Sequence, residues 1–288
     1  MIANAMTIDV EDYFHVSAFA HVVRRKDWDA HERRVVANTR RLLDLFERAQ
    51  MRATFFVLGW VADREPALVR AIVAAGHELA SHGYAHQLIY EQEPGVFRED
   101  VRRAKALLEQ LSGVPIRGYR APSFSVTPRS RWALDVLLEE GYTYDASIFP
   151  IHHDRYGMPG APRHPYIERT AAGEIVEAPA TTVAVGPLTM PAAGGGYFRI
   201  FPYAFTRWAI RHVNEQERRP AIVYLHPWEV DPTQPRLRAA GRVSRFRHYT
   251  NLHRTEPRLE QLVRDFAFAP LGEVLEDLQL LPVSRSAA

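Results

Sequence analysis

The chain contains no cysteine. That excludes disulfide bridges and thiolate metal sites, so any bound metal must use histidine and carboxylate ligands. No run approaches the roughly 18 consecutive apolar residues that suggest a membrane span. The opening stretch "MIANAMTIDV" has no basic region, apolar core or cleavage site of a secretory signal, so the expectation is a soluble cytoplasmic protein. Charge of one sign is not in excess either. Lys+Arg number 36 against Asp+Glu 34, a formal net charge of +2. With the two signs interspersed there is no case for nucleic acid as a partner. Internal repeats and interdomain linkers are also missing.

What is present suits one α/β barrel. The 288 residues are 47% hydrophobic, enough for a sizeable core. Strand and helix patterns alternate along the first half. Strands are expected at 3–9, 52–59, 77–82, 116–122 and 142–148. Helices are expected at 33–50, 63–76, 94–113 and 127–141, the last with Thr127 as N-cap and Pro128 in its first turn. Residues 149–200 read as an irregular insertion with one strand-like run at 174–181. The pattern resumes with a helix near 202–216, a strand at 221–227, and helices near 257–267 and 270–279. Repeated strand–helix units favour a parallel sheet. Asp9, His82, Arg120, Asp145 and His226 all fall at C-terminal strand ends, the face on which α/β barrels build active sites.

Each of these groups has a plain reading and a chemical one. "TIDVED" (7–12) crowds three carboxylates, as a solvated loop or as a cation site. In extended chain Asp9 and Glu11 point the same way and Asp12 the other. Glu11 is thus the first choice as a ligand, with Asp12 left open. His82 and His86 are ordinary loop residues or a metal-binding pair. Two histidines and one carboxylate make a three-ligand face with open positions, the pattern of a catalytic metal. Arg120 forms a surface ion pair, or orients Asp9 and keeps it ionised. The Ser123 N–H, just beyond Pro122, is placed to meet an oxyanion. His226 is a satisfied core residue, or an acid whose ring is held by Glu229 or Asp145. Gly194–Gly196 in "AAGGGYFRIFP" reads as a turn or a substrate-loop hinge. "FRHYTNLHR" (246–254) suits a sugar or anionic ligand, or a solvated face.

Together "TIDVED", "HGYAH", "RAP" and "YLH" resemble, in order and spacing over residues 5–228, the motifs of the polysaccharide deacetylase family (NodB-homology, carbohydrate esterase family four). "ATFFVLGW" before "AGHELASHGYAH" is similar to the family as well. The resemblance implies a distorted (β/α)7-type barrel over residues 1–288, with a family-specific C-terminal portion from about 229. It implies a divalent metal, most often zinc, on Glu11, His82 and His86. Asp9 would be the general base, Arg120 its tether and His226 the general acid. The substrate class implied is an N-acetylated carbohydrate.

Val10 between the two carboxylates, Gly83 in place of a hydroxyl residue and Tyr224 in place of leucine depart from the common motifs. "DVEDYFHV", "GGGYFRIFP" and "FRHYTNLHR" look like a branch associated with exopolysaccharide and exosortase loci. That branch implies a role in exopolysaccharide biosynthesis and contact with a lipid-linked substrate. Two rivals remain: an allantoinase-like hydrolase of a small cyclic amide, and a sugar-binding module with a decayed site.

Overall fold

The computed structural model describes residues 2–153, 156–186, 188–192 and 194–283. In chain order the elements are β1 (Asn4–Val10), α1 (Val35–Arg48), β2 (Thr54–Val57), α2 (Gly59–Arg64), α3 (Pro66–Ala74), β3 (Glu78–Ser81), α4 (Pro94–Ser112), β4 (Gly118–Tyr119), α5 (Ala133–Glu139) and β5 (Tyr144–Asp145). There follow β6 (Tyr166–Arg169), β7 (Glu174–Glu177), β8 (Thr182–Val185), β9 (Leu188–Pro191), α6 (Gly195–Ile200), α7 (Tyr203–Glu215), β10 (Ile222–Leu225), α8 (Arg242–Tyr249), α9 (Leu252–Asp265), β11 (Phe268–Ala269) and α10 (Leu271–Asp277).

One sheet runs in the order β10-β1-β2-β3-β4-β5-β7-β6, with β11 also pairing β1. The strands from β10 to β7 pair in parallel, and only β6 runs antiparallel at the edge. The sheet curls until its two sides meet without a regular ladder. Thr181, past the end of β7, donates its N–H to the Ile222 carbonyl (3.2 Å) and accepts the Ile222 N–H on its hydroxyl (2.6 Å). Gly194 bridges to Tyr224 on the same strand. The expected distorted seven-stranded barrel is therefore present, closed by loop hydrogen bonds.

The side-chain period of two divides β1 cleanly. Met6, Ile8 and Val10 pack outward in the core formed with the helices. Ala5 joins the inner cluster with Phe56, Ala80, Tyr144, Ala146 and Val176, and Thr7 and Asp9 follow it along the same face. At the N-terminal end of the strands Leu271, Val274 and Leu275 of α10 plug that interior. At the other end the lining turns polar, which is where the site forms.

Several sequence expectations are corrected. The helix expected at 63–76 is two helices, because Glu65 takes a non-helical conformation (φ −128°, ψ 55°) before Pro66. Thr127 is not an N-cap, and α5 starts only at Ala133. The Ser130 hydroxyl accepts the Thr127 N–H (2.9 Å) and donates to the Ser125 carbonyl (2.9 Å), which holds 128–132 as turns. The 149–200 segment holds β6, β8, β9 and α6 as well as β7, so it is more regular than expected. Asp154, Arg155, Pro187 and Ala193 of that segment lie outside the described residues. The helix expected at 257–267 begins at Leu252 and carries Pro257 inside it. That proline removes a hydrogen bond to His253, whose side is exposed and open to water.

Gly118 lies against the Tyr144 ring, where an added Cβ would sit 2.0 Å from Cζ. Replacing Gly118 by Ala should lower stability by about 1–3 kcal/mol, the usual result of overpacking. Urea unfolding followed by circular dichroism measures it, and an unchanged midpoint would mean that this interior can relax.

Candidate active site

Arg120 leaves β4 fully buried and reaches into the barrel mouth. Its Nη1 donates to Asp9 Oδ1 (2.7 Å) and to Thr7 Oγ1 (2.8 Å), and its Nε donates to the Ala146 carbonyl (3.1 Å). The guanidinium carbon lies 4.2 Å over the Phe56 ring. Asp9 is thus fixed by a charge-assisted bond in a dry setting, one oxygen on the arginine and the other facing the site.

Glu11, His82 and His86 converge next to Asp9. One ligand-type atom from each lies within 4.8 Å of the others, and all three residues are buried. His82 donates its Nδ1–H to the Arg120 carbonyl (2.8 Å), which fixes the tautomer and leaves Nε2 with a free lone pair. Burial pulls the His82 pKa down to about 4, so the ring is neutral near pH 7. Burial alone would raise Glu11, but His86, His226 and His82 outweigh it and hold its carboxyl well below the usual range. Glu11 Oε1 accepts the Trp228 indole N–H (3.2 Å). Oε2 lies 2.5 Å from His86 Nε2 and has no hydrogen-bond partner of its own. A buried carboxylate oxygen and two imidazole rings that converge on one point fit a divalent metal.

The loop that carries the histidines is clamped from two sides. The N–H groups of Gly59 and Trp60, at the start of α2, donate to the carbonyls of Gly83 and Tyr84 (2.8 and 3.0 Å). The Asp100 carboxylate on α4 accepts the N–H groups of Tyr84 and Ala85 (2.7 and 2.9 Å). This explains the departure at position 83. Gly83 has φ +70°, and an added Cβ would lie 2.8 Å from Asp100 Oδ2. His86 itself holds φ 51°, a conformation that costs a non-glycine residue on the order of 1–3 kcal/mol.

His226 faces the cluster from β10. Its Nε2 lies 3.9 Å from Asp9 Oδ2 and 3.7 Å from Glu11 Oε1. Its Nδ1 bonds Glu229 Oε1 (2.8 Å), which also accepts the His226 backbone N–H (3.1 Å). Glu229 Oε2 in turn accepts the Nε–H of the buried Arg199 (2.6 Å). Burial opposes charge on His226, yet the Glu229 hydrogen bond and the fields of Glu11 and Asp9 push its pKa up to about 9. The Trp228 ring stacks on it, with centroids 5.1 Å apart.

The other sequence candidates lie around this constellation. The Asp12 carboxylate accepts the N–H groups of Arg34 (2.7 Å), Val35 (3.0 Å) and Tyr13 (3.0 Å), so it caps the start of α1 and turns away from the histidines. Of the two acids expected as holders of His226, Glu229 takes that place and Asp145 does not. Asp145 accepts the Ser147 hydroxyl (2.5 Å), and that hydroxyl accepts the Ala121 N–H (2.7 Å). Its sheet neighbour is Glu177. Burial pushes both carboxyls up, Glu177 furthest because Asp145 lies beside it. Ser123 (φ 52°, ψ 32°) lies on the wall of a cavity of about 280 Å³ beside His226, its hydroxyl bonded to Ser17 Oγ (2.8 Å). Gly194 and Gly195 are close-packing residues rather than a hinge, since a Cβ on Gly194 would lie 1.8 Å from the Tyr224 carbonyl oxygen.

Arg199 and Trp228 were not anticipated. The signal for Arg199 is a lone charge within "YFRIF", which must find an acid if buried.

Residues 28–144 match the family model described as polysaccharide deacetylase. That stretch of the chain is similar to the polysaccharide deacetylase family. Residues 146–276, which carry Arg199, His226 and Glu229, match a domain of unknown function, DUF3473. The peptidoglycan deacetylase of Helicobacter pylori is 33% identical over 118 residues, 40% of this chain and 37% of that protein. The chitooligosaccharide deacetylase of a Bradyrhizobium strain is 32% identical over 96 residues, 33% of this chain and 42% of that protein. The chain thus spans well under half the length of these curated relatives. Among solved structures, the Puue allantoinase superposes with a TM-score of 0.63 at 16% identity, covering 99% of this chain and 92% of that one. These deacetylases are similar to part of the chain in sequence, and the allantoinase shares the fold.

The two acids next to each other in "VED" should separate cleanly by substitution. Asp12→Ala should cost about 1–2 kcal/mol of stability through the lost cap and leave metal uptake intact. Glu11→Ala should abolish uptake. Metal analysis after dialysis checks both, and loss of metal in Asp12→Ala at full folding would reverse the assignment.

The His226 ring should titrate near pH 9 in metal-free protein. Removing the Glu229 charge takes away a group that favours the imidazolium, so Glu229→Gln should move the titration to lower pH. Imidazole NMR resonances read this directly, and an unmoved midpoint would remove Glu229 as the controlling group.

Proposed function

We propose that this protein hydrolyses the acetamido group of N-acetylated amino sugars, in a polysaccharide or its lipid-linked precursor. The observation that carries the reading is the opposition of Asp9 and His226 across the Glu11, His82 and His86 cluster. One carboxylate is paired with Arg120, and one imidazole is held protonated on Glu229. A base and an acid with separated protonation states, facing one site, are what amide hydrolysis requires. The names of the relatives, which act on peptidoglycan and chitooligosaccharide, support the substrate class.

A divalent metal on Glu11, His82 and His86, zinc by the chemistry of the ligands, would activate water and polarise the acetyl carbonyl. Asp9 Oδ2 takes the proton from the attacking water while Arg120 keeps the carboxylate aimed. Water oxygen bonds to the carbonyl carbon. The Ser123 N–H, on the cavity wall, is the candidate donor to the developing oxyanion. The C–N bond then breaks, and His226 Nε2 gives its proton to the departing amine. Glu229 holds the resulting ring in orientation through Nδ1. The products are acetate and a free amino sugar.

The rival of a decayed sugar-binding module is disfavoured, because base, tether, acid and all three ligand-type side chains are present and converge. The exopolysaccharide setting rests on the resemblance of "DVEDYFHV", "GGGYFRIFP" and "FRHYTNLHR" to that branch. Among the described residues no helix is long and apolar enough to cross a membrane.

Asp9→Asn should keep its metal and lose about 10²–10⁴-fold in acetate release from N-acetylhexosamine oligomers. Unchanged turnover in the folded variant would take Asp9 out of the mechanism. His226→Ala should lose most activity on these amides and much less on an activated acetyl ester, whose leaving group needs no proton. Equal losses on both would make His226 structural. Turnover of allantoin in place of the sugars would favour the cyclic-amide reading.

A further inference from the structure

The stretch 232–255 contains six arginines, at 236, 238, 242, 245, 247 and 254, and no aspartate or glutamate. Its centre is α8. The helix carries two unlike faces. Ser244, Arg247 and His248, at i, i+3 and i+4, line the cavity that contains His226. Arg242, Arg245, Phe246 and Tyr249, at i, i+3, i+4 and i+7, line a separate concavity of about 350 Å³ with Arg236. Among the described residues, none of Arg236, Arg242 and Arg245 has a carboxylate within ion-pair distance. Arg236 instead lies over the Tyr249 ring at 5.0 Å. Three guanidinium groups around one hollow repel each other, and among the described residues no carboxylate pairs with them.

The geometry points to a second binding site, on the far side of α8, for a phosphate group. Guanidinium forks match phosphate oxygens bidentately, and three of them around a pocket are the arrangement that selects a doubly charged oxyanion over a neutral sugar. The site stands independently of the deacetylase reading. Its position adds a consequence that rests on that reading. A helix with its side chains is about 10–12 Å across. An oligosaccharide that passes around the helix would place a phosphate in the arginine pocket and an acetamido group at His226, which makes the substrate class a phosphate-bearing N-acetylated oligosaccharide.

Titration calorimetry with inorganic phosphate, N-acetylglucosamine 1-phosphate and N-acetylglucosamine tests the site. The proteins are wild type, Arg242→Gln/Arg245→Gln, and His82→Ala/His86→Ala, the last to remove phosphate bound at the metal centre. Both phosphates should bind wild type and the histidine variant alike, more weakly as salt rises. They should bind the arginine variant about tenfold more weakly or not at all, and the unphosphorylated sugar should not compete.

Equal phosphate affinity in wild type and the arginine variant would overturn the site. So would binding that disappears with the histidines. Phe246 and Val243 are 61% and 65% exposed on the same helix. Capture by phosphatidylglycerol vesicles without binding of either soluble phosphate would therefore replace the pocket by a membrane-facing helix. For the spanning ligand, the arginine variant should raise KM for phosphorylated acetylated oligosaccharides and leave the unphosphorylated ones unchanged. No acetate release from any sugar, with phosphate binding intact, would reject the deacetylase reading alone.

Discussion

The buried Arg120–Asp9 pair is the constraint on which the rest of the site depends. A guanidinium without water access is tolerable only if its charge is matched and its donors are used. Asp9 matches the charge, while Thr7 and the Ala146 carbonyl take further N–H groups. The same residue also acts through its backbone, since its carbonyl takes the Nδ1–H of His82. One residue thus sets the base and orients a metal-type ligand. Removing either partner would leave an uncompensated charge in the barrel mouth, which typically costs about 3–5 kcal/mol.

A second buried pair, Arg199–Glu229, repeats this logic on the opposite wall. Arg199 donates to Glu229 and to the carbonyls of His248, Thr250 and Arg247. It thereby ties α6 and the end of α8 to the strand that carries His226. Burial pushes Glu229 up, but Arg199 and His226 pull it below its ordinary value, so it stays ionised beside the imidazole. The two arginines hold carboxylates of opposite purpose. One aims the Asp9 carboxylate at the site, and the other holds the carboxylate that lets a neighbouring histidine keep its proton. Both members of the second pair lie in the segment that matches a domain of unknown function, so that segment completes the site.

Much of this was legible in the sequence because strand ends carry simple rules. The period of two put Asp9 and Glu11 on one face, and the His-x-x-x-His pair converges with Glu11 in a group able to hold a metal ion. The cap role of Asp12 was not legible, since its partners are the N–H groups of Arg34 and Val35, more than 20 residues away. Of the two acids weighed for His226, Glu229 is three residues away in sequence and holds the ring, whereas the environment of Asp145 is set by a neighbouring strand and by Glu177, a pairing no local pattern reveals. The glycines at 194 and 195 looked like a hinge because a sequence does not show what packs against them.

The most direct test of this account is anomalous diffraction from crystals loaded with zinc. The predicted result is one strong peak at coordination distance, about 2.0–2.2 Å, from a Glu11 oxygen and from ring nitrogens of His82 and His86. Asp9 should remain on Arg120, outside the coordination shell, with His226 facing it. A peak on Asp12, or an Asp9 carboxylate that leaves Arg120 to become a ligand, would contradict it.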